Sequence, residues 1–175
     1  MGLSPATLLH AYSLGYFPMT DPSDAQTHWY DPDPRAIIPL EGFHIPKRLA
    51  RTLRQGVFEL RRDSSFEAVM RACAESRPGR ETTWIGAELV AAYTALHALG
   101  HAHSLECWRG GELVGGVYGV KLGGLFAGES MFSRQRDASK VALASLLLHL
   151  RARGFTLFDV QMLSPHLLQF GALEL

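Results

Sequence analysis

Export signals, membrane spans and a disulfide framework are all missing from these 175 residues. Met1-Gly2-Leu3-Ser4-Pro5 has no basic segment followed by an apolar stretch, as a secretory leader would. The longest apolar run, Val141 to Leu150, is broken by Ser145 and His149 and flanked by arginine, so it is too short for a bilayer. Two cysteines, Cys73 and Cys107, cannot staple a scaffold, and a reducing cytoplasm is the expected compartment. Charge of one sign is lacking as well, because 17 basic and 17 acidic residues cancel. A protein that grips long nucleic acid is usually basic overall, so the balance leaves room for local phosphate contacts only. Neither a Walker-type glycine loop nor a dinucleotide fingerprint is present. No repeat, low-complexity tract or long linker divides the chain.

What is there is ordinary globular material, 47% hydrophobic and 19% charged, enough for one core or two small lobes sharing one. Ser4-Pro5 is a helix start, with Leu8, Leu9 and Tyr12 on one face and Gly15 as the stop. Residues 16–36 carry four prolines, four aspartates and Trp29, and read as a structured loop. A short basic helix is expected from Pro46 to Gln55. Ser64-Ser65-Phe66-Glu67 reads as a capping box ahead of Val69, Met70 and Cys73 at helical spacing. A further helix is expected from about Gly86 to Leu99, stopped by Gly100.

After Gly100 the pattern changes. His103 to Arg109 and Leu113 to Val120 are strand-like and joined at Gly110-Gly111, a hairpin signal. A glycine-rich strand leads from Leu122 towards Glu129. Asp137 to Arg153 is the cleanest helix, with Leu143, Leu146, Leu147 and Leu150 as its apolar stripe. Phe155 to Met162 alternates as a final strand. The expected class is α+β (mixed α/β). A mainly helical part, residues 1–100, would sit on a core, residues 101–175, whose meander–helix–strand order is that of acetyltransferase-like (GNAT) acyltransferases, an analogy of order only.

Three places could carry chemistry. Asp159 and Gln161 lie two apart in a strand and share a face, opposite Phe158 and Val160. Such a pair either accepts a proton and holds a nucleophile or anchors the next turn. Glu129 closes an apolar, glycine-rich strand, and is either tied to Arg134 or Arg136 or free for a cation. Lys47, Arg51 and Arg54, with Arg48 adjacent, make one face of the basic helix cationic, suited to a phosphate backbone or to solvent alone. His97, His101 and His103 have superficial metal spacing, but no cysteine or carboxylate completes a set, so no metal and no other cofactor is expected. Cys107 reads as packing. The loop by which acetyltransferases hold coenzyme A is missing; Ser133-Arg134-Gln135-Arg136-Asp137 stands before the long helix instead.

Taken in order, these stretches resemble one family. Leu8-Leu9-His10-Ala11-Tyr12 with Gly15-Tyr16-Phe17-Pro18 is similar to the opening motif of the leucyl/phenylalanyl-tRNA–protein transferases. Trp29 followed by Asp31-Pro32-Asp33-Pro34-Arg35 resembles their W-x-x-P-D-P-R segment, with Asp31 where a small residue such as serine is expected. Thr83-Trp84-Ile85, Leu96-His97, Gly100-His101-Ala102-His103-Ser104 and Leu113-Val114-Gly115-Gly116-Val117-Tyr118-Gly119 follow. Gly128-Glu129-Ser130-Met131-Phe132-Ser133, Ala138-Ser139-Lys140, Asp159-Val160-Gln161 and Gly171-Ala172 complete a series that covers nearly the whole chain.

The resemblance implies transfer of Leu or Phe from the 3′ end of aminoacyl-tRNA to proteins beginning with Lys or Arg, which enter N-end degradation. It places Asp159, Gln161 and Glu129 at the reacting amine. Trp29, Trp84 and Phe126 would frame the aminoacyl-adenosine end, with Tyr118, Ser130 and Met131 on the same wall. The family pattern has further residues before Leu3-Ser4-Pro5 and a longer tail after Gly171-Ala172. An exposed edge or a weaker substrate site is therefore expected near Leu175. Two rival readings remain: an inactive short homologue that binds tRNA ends or basic N-termini, and a conventional coenzyme A-dependent N-acyltransferase.

Overall fold

A computed structural model describes residues 2–175. The chain runs α1 (Pro5–Ser13), β1 (Phe17–Thr20), β2 (Thr27–Tyr30), β3 (Ala36–Ile38), α2 (Lys47–Gln55), β4 (Glu59–Arg62), α3 (Phe66–Ala74) and α4 (Ala87–Ala98). It continues through β5 (Ala102–Arg109), β6 (Glu112–Leu122), β7 (Leu125–Ser133), α5 (Ala138–Ala152), β8 (Leu157–Gln161), α6 (Pro165–Leu168) and β9 (Leu173–Glu174). A seven-stranded sheet in the order β4-β5-β6-β7-β8-β3-β9 forms the centre, and β1-β2 is a separate hairpin. No helix among the described residues is long and apolar enough to cross a membrane.

The expected meander is present: β5, β6 and β7 pair antiparallel in sequence, α5 crosses over, and β8 returns parallel to β7. Gly110 and Gly111 both adopt positive φ, 58° and 79°, which is why two residues suffice to join β5 to β6. The mixed α/β class is as the sequence led us to expect. Residues before Gly100 also enter the sheet, however. β4 forms one edge and β3 lies between β8 and β9. Three residues of β3 carry no readable alternation, so only long-range pairing makes them a strand. The hairpin β1-β2 was hidden in the same way under prolines and aspartates.

Helices cover both faces of the sheet. On one side α5, with Leu143, Leu146, Leu147 and Leu150 buried, packs with Leu49 of α2, Phe126, Phe158 and Phe170. On the other, α1, α3 and α4 supply Leu8, Tyr12, Val69, Met70, Leu89, Tyr93 and Leu96 around Tyr118 and Phe132. Cys73 and Cys107 are free and buried, and burial pushes both thiols up to about 12, as inert packing groups.

One local expectation is corrected. Ser65 precedes α3, but no side chain caps it. Glu67, the supposed capping-box acid, instead pairs with Arg71 one turn on. The donors of this turn go to Glu106 of β5. Its carboxylate accepts from the Ser64 hydroxyl, from Ser65 N at 2.9 Å, from Ser104 Oγ at 2.8 Å and from Trp108 Nε1 at 3.1 Å. A buried carboxylate from a distant strand outcompetes a local glutamate because it is both desolvated and rigidly placed.

Candidate active site

Two irregularities in neighbouring strands create the site. In β7, Tyr118 pairs with Ser130 while Gly119 pairs with Gly128, so Glu129 is an extra, bulged residue. In β8, Ile37 pairs with Asp159 while Ala36 pairs with Gln161, so Val160 is extra. Bulges re-aim side chains and end pairing. Here β7 and β8 stay hydrogen-bonded only as far as Ala127 and Asp159, and the strands part beyond. Close packing makes the glycines obligatory. A Cβ on Gly119 would lie 2.2 Å from the Ala127 carbonyl oxygen, and one on Gly128 would lie 2.8 Å from the Phe158 ring.

Glu129, Asp159 and Gln161, expected together from sequence, do meet, and all three are buried. They meet through a kink rather than a straight strand: Gln161 has φ 67°, a left-handed conformation that a glutamine rarely adopts. Its backbone N–H donates to Asp159 Oδ1 at 2.8 Å, and its side-chain Nε2 donates to Glu129 Oε1 at 3.0 Å. With Nε2 spent on Glu129, the amide oxygen of Gln161 is the end left to accept from a ligand. The same Glu129 oxygen receives the Tyr12 hydroxyl at 2.5 Å, and Tyr93 donates in turn to Tyr12 at 2.5 Å. Burial, then the charge of Glu129, hold both phenols well above their ordinary range, so they act as donors.

Arg35 anchors the other carboxylate. Its Nε and NH2 reach the two oxygens of Asp159 at 3.0 and 2.7 Å, and its NH1 donates to the Gly15 carbonyl at 2.7 Å. A weaker contact runs to Asp31 at 3.3 Å. Burial works against the Arg35 charge, but the two-pronged Asp159 pair outweighs it and raises its pKa above the usual arginine value.

Glu129 differs. Burial, with Asp159 adding to it, pushes its carboxyl up to about 8, against the hydrogen bonds that favour ionisation. Its second oxygen, Oε2, is buried without a hydrogen-bond partner among the described residues. A half-satisfied buried carboxylate is costly unless it serves a ligand. Neither Arg134 nor Arg136 pairs with it; Arg134 bonds Glu75 instead.

Beside it the parting strands leave a cleft of about 80 Å³ lined by Val117, Gly128, Glu129, Ser130, Met131, Leu143, Phe158, Val160 and Leu167. Ser130 and Met131 thus line this cleft. Tyr118 and Phe126 are not cleft walls. Tyr118 is buried edge-on to Tyr93, ring centroids 6.2 Å apart, and Phe126 stacks on Phe158 at 5.9 Å within the α5-side core. Trp84 is half-buried against the opposite core, its carbonyl bonded to Thr20 N at 2.9 Å, while Trp29 is exposed on the β1-β2 hairpin opposite Pro18. Lys47, Arg48, Arg51 and Arg54 all lie exposed on α2, whose inner residue Leu49 is buried, and Arg48 approaches Asp137 at 3.5 Å.

Asp63 completes a trio with His97 and His103 that spacing alone could not show. Its atoms are occupied, though. His103 donates Nδ1–H to Asp63 at 2.8 Å and Nε2–H to the Gly100 carbonyl at 3.0 Å. A ring that donates from both nitrogens is an imidazolium, and the Asp63 bond first of all raises its pKa.

Sequence reasoning missed Tyr12, Tyr93 and Arg35. The first two sit at core positions of α1 and α4, where a tyrosine looks like any aromatic. Arg35 is the one cation in a run of acids and prolines, and that contrast was the available clue.

Residues 37–175 match the leucyl/phenylalanyl-tRNA protein transferase family, and residues 1–33 match its N-terminal domain. A leucyl/phenylalanyl-tRNA–protein transferase of Herpetosiphon aurantiacus is 55% identical over 174 residues, 99% of this chain and 88% of that one. One of Phenylobacterium zucineum is 56% identical over 169 residues, 96% of this chain and 76% of its own. Among solved structures, L-PGS from Bacillus licheniformis shares the fold with a TM-score of 0.50 at 16% identity, over 88% of this chain and 49% of that one.

Proposed function

Because the chain belongs to the leucyl/phenylalanyl-tRNA protein transferase family, we propose that it moves leucine or phenylalanine from aminoacyl-tRNA to the N-terminal lysine or arginine of proteins. The reaction is aminolysis of an ester. The incoming amine nitrogen bonds to the ester carbonyl carbon, the bond to the terminal ribose oxygen breaks, and an amine proton ends on that oxygen. Amide is more stable than ester, so the chemistry asks for positioning and proton handling rather than an energy source. Its setting is the cytoplasm, where charged tRNA is made, and its products feed N-end degradation.

The observation that carries the reading is Oε2 of Glu129, unpartnered among the described residues, beside the amide oxygen of Gln161. An α-ammonium, which titrates at about 8, matches a carboxyl held at about 8. Proton transfer between such a pair is close to thermoneutral, the condition in which general base catalysis works best. Gln161 Oε1 would then hold the neutral amine towards the ester. Asp159, with its oxygens given to Arg35 and to the Gln161 backbone, acts as a positioner: it locks the strained turn that aims Gln161.

The cleft of about 80 Å³, apolar on the Leu143, Phe158, Val160 and Leu167 side, suits a leucyl side chain and offers nothing to a charged one. Asp31, exposed and 3.3 Å from the Arg35 guanidinium that holds Asp159, provides negative charge for a basic N-terminal side chain. The cationic face of α2 supplies phosphate contacts for the tRNA end.

Transfer of labelled leucine from Leu-tRNA to a peptide beginning with arginine, beside one beginning with alanine, tests this. Label on the arginine peptide alone is expected. A folded protein that binds the charged tRNA yet labels neither peptide would instead be a silent binding module.

A further inference from the structure

Far larger than the cleft is a cavity of about 620 Å³ bounded by the β4–β5 edge and the C-terminal half of α5. It plays no part in the transfer chemistry above. Its floor is apolar: Phe126, Leu146 and Leu150 are all buried, and Phe155 lies beside them. Its rim is cationic, with Arg62, Lys121 and Arg153.

The charges at this rim do not cancel locally. Asp63 is the one acidic residue among the described residues that line it, and it is already neutralised by the His103 imidazolium at 2.8 Å and by Ser104 N–H at 2.9 Å. Arg62 spends its NH1 on a neutral acceptor, Nε2 of His149, at 2.9 Å. Lys121 and Arg153 are exposed and enter no ion pair among the described residues. His149 itself reports the resulting field: burial, then Arg62 and Arg153, lower its pKa. A surface that buries aromatic and leucine side chains beneath three uncompensated cations is complementary to a molecule with an apolar body and an anionic group.

We propose that this cavity is a second ligand site, which takes a small amphiphilic anion: an aromatic or aliphatic body seated on Phe126, Leu146 and Leu150, with a carboxylate, phosphate or sulfonate held by Arg62, Lys121 and Arg153. Charge-assisted contacts fix the anion's end, and apolar burial supplies the rest of the affinity. The volume admits a ligand of one or two rings and is too small for a folded domain.

The test uses the intact chain and anilinonaphthalene sulfonate, a fluorescent probe with an aromatic body and one anionic group. Saturable binding with one probe per chain is expected. The double variant Lys121→Gln with Arg153→Gln should weaken it about tenfold, since two charge-assisted contacts go while the exposed positions leave folding intact. A charge-matched control, Arg109→Gln with Arg136→Gln, should bind the probe as the parent does. Phenylnaphthylamine, which has the same rings without the sulfonate, should bind more weakly than the sulfonate. Binding that never saturates, equal affinity in both double variants, or equal affinity for the uncharged analogue would each overturn the proposal.

Discussion

Glu106 and Glu129 are glutamates of one sheet, both buried, and the protein treats them in opposite ways. Four donors converge on the two oxygens of Glu106, from Ser64, Ser65, Ser104 and Trp108. Glu129 receives Tyr12 and Gln161 on one oxygen and nothing on the other among the described residues. Glu106 sits in regular pairing opposite Gly116 and Arg61, whereas Glu129 is the bulged residue beside a left-handed glutamine. A saturated carboxylate in regular structure ties an element down. A half-saturated one in strained structure keeps a lone pair for something that arrives later.

The largest expected effect breaks the comparison at its functional end. Glu129→Gln keeps the shape and removes the proton acceptor, so transfer to an arginine-led peptide should fall about a hundred- to ten-thousandfold, measured as initial rate. The same substitution should change the pH dependence of stability. The Glu129 carboxyl lies at about 8 when folded against an ordinary 4.5, so the folded chain holds a proton that the unfolded chain releases. Stability contributed by this group is therefore full below 4.5 and is lost as pH rises towards 8. Melting curves across that window should slope downward for the parent and flatten in Glu129→Gln.

Next comes the strained neighbour. Gln161→Gly relieves the left-handed backbone while removing the amide, so transfer should drop about a hundredfold with stability held within about 1 kcal/mol. A variant that is strongly destabilised would mean the kink is held by the side chain rather than by the bulge.

Glu106→Gln should behave as the mirror image: a loss of about 1–3 kcal/mol in denaturant unfolding, because an amide N–H then faces donors, with unchanged transfer per folded molecule. Loss of transfer without loss of stability would erase the distinction between the two glutamates. Smallest is Lys47→Ala with Arg51→Ala on α2. Binding of charged tRNA should weaken a few-fold, and the slope of log affinity against log salt should shrink by about one to two. An unchanged slope would return this face to solvent.

Much of this was legible beforehand. Helices α1, α2, α4 and α5 and strands β5 to β8 follow from apolar spacing, glycine stops and the Gly110-Gly111 turn, all of which act within a few residues. Asp159, Gln161 and Glu129 could be singled out because polar groups at strand ends in apolar surroundings demand a reason. The rest was not legible for the converse reason. β3 is three residues long, and the capping of α3 is settled by Glu106, some forty positions away. Tyr12 reaches Glu129 across 117 positions and Arg35 reaches Asp159 across 124, and no local pattern records either contact.

By itself, then, the sequence determined the element types, the mixed class, the family resemblance and the identity of the polar residues at the sheet's centre. The tertiary structure alone decided what surrounds them. It showed that Asp159 is consumed by Arg35, that Glu129 keeps an open oxygen among the described residues, and that Phe126 stacks behind Phe158 instead of lining the cleft. The reason is physical: propensity and periodicity are short-range, whereas the protonation and hydrogen bonding of a buried group depend on whichever distant chains desolvate and surround it.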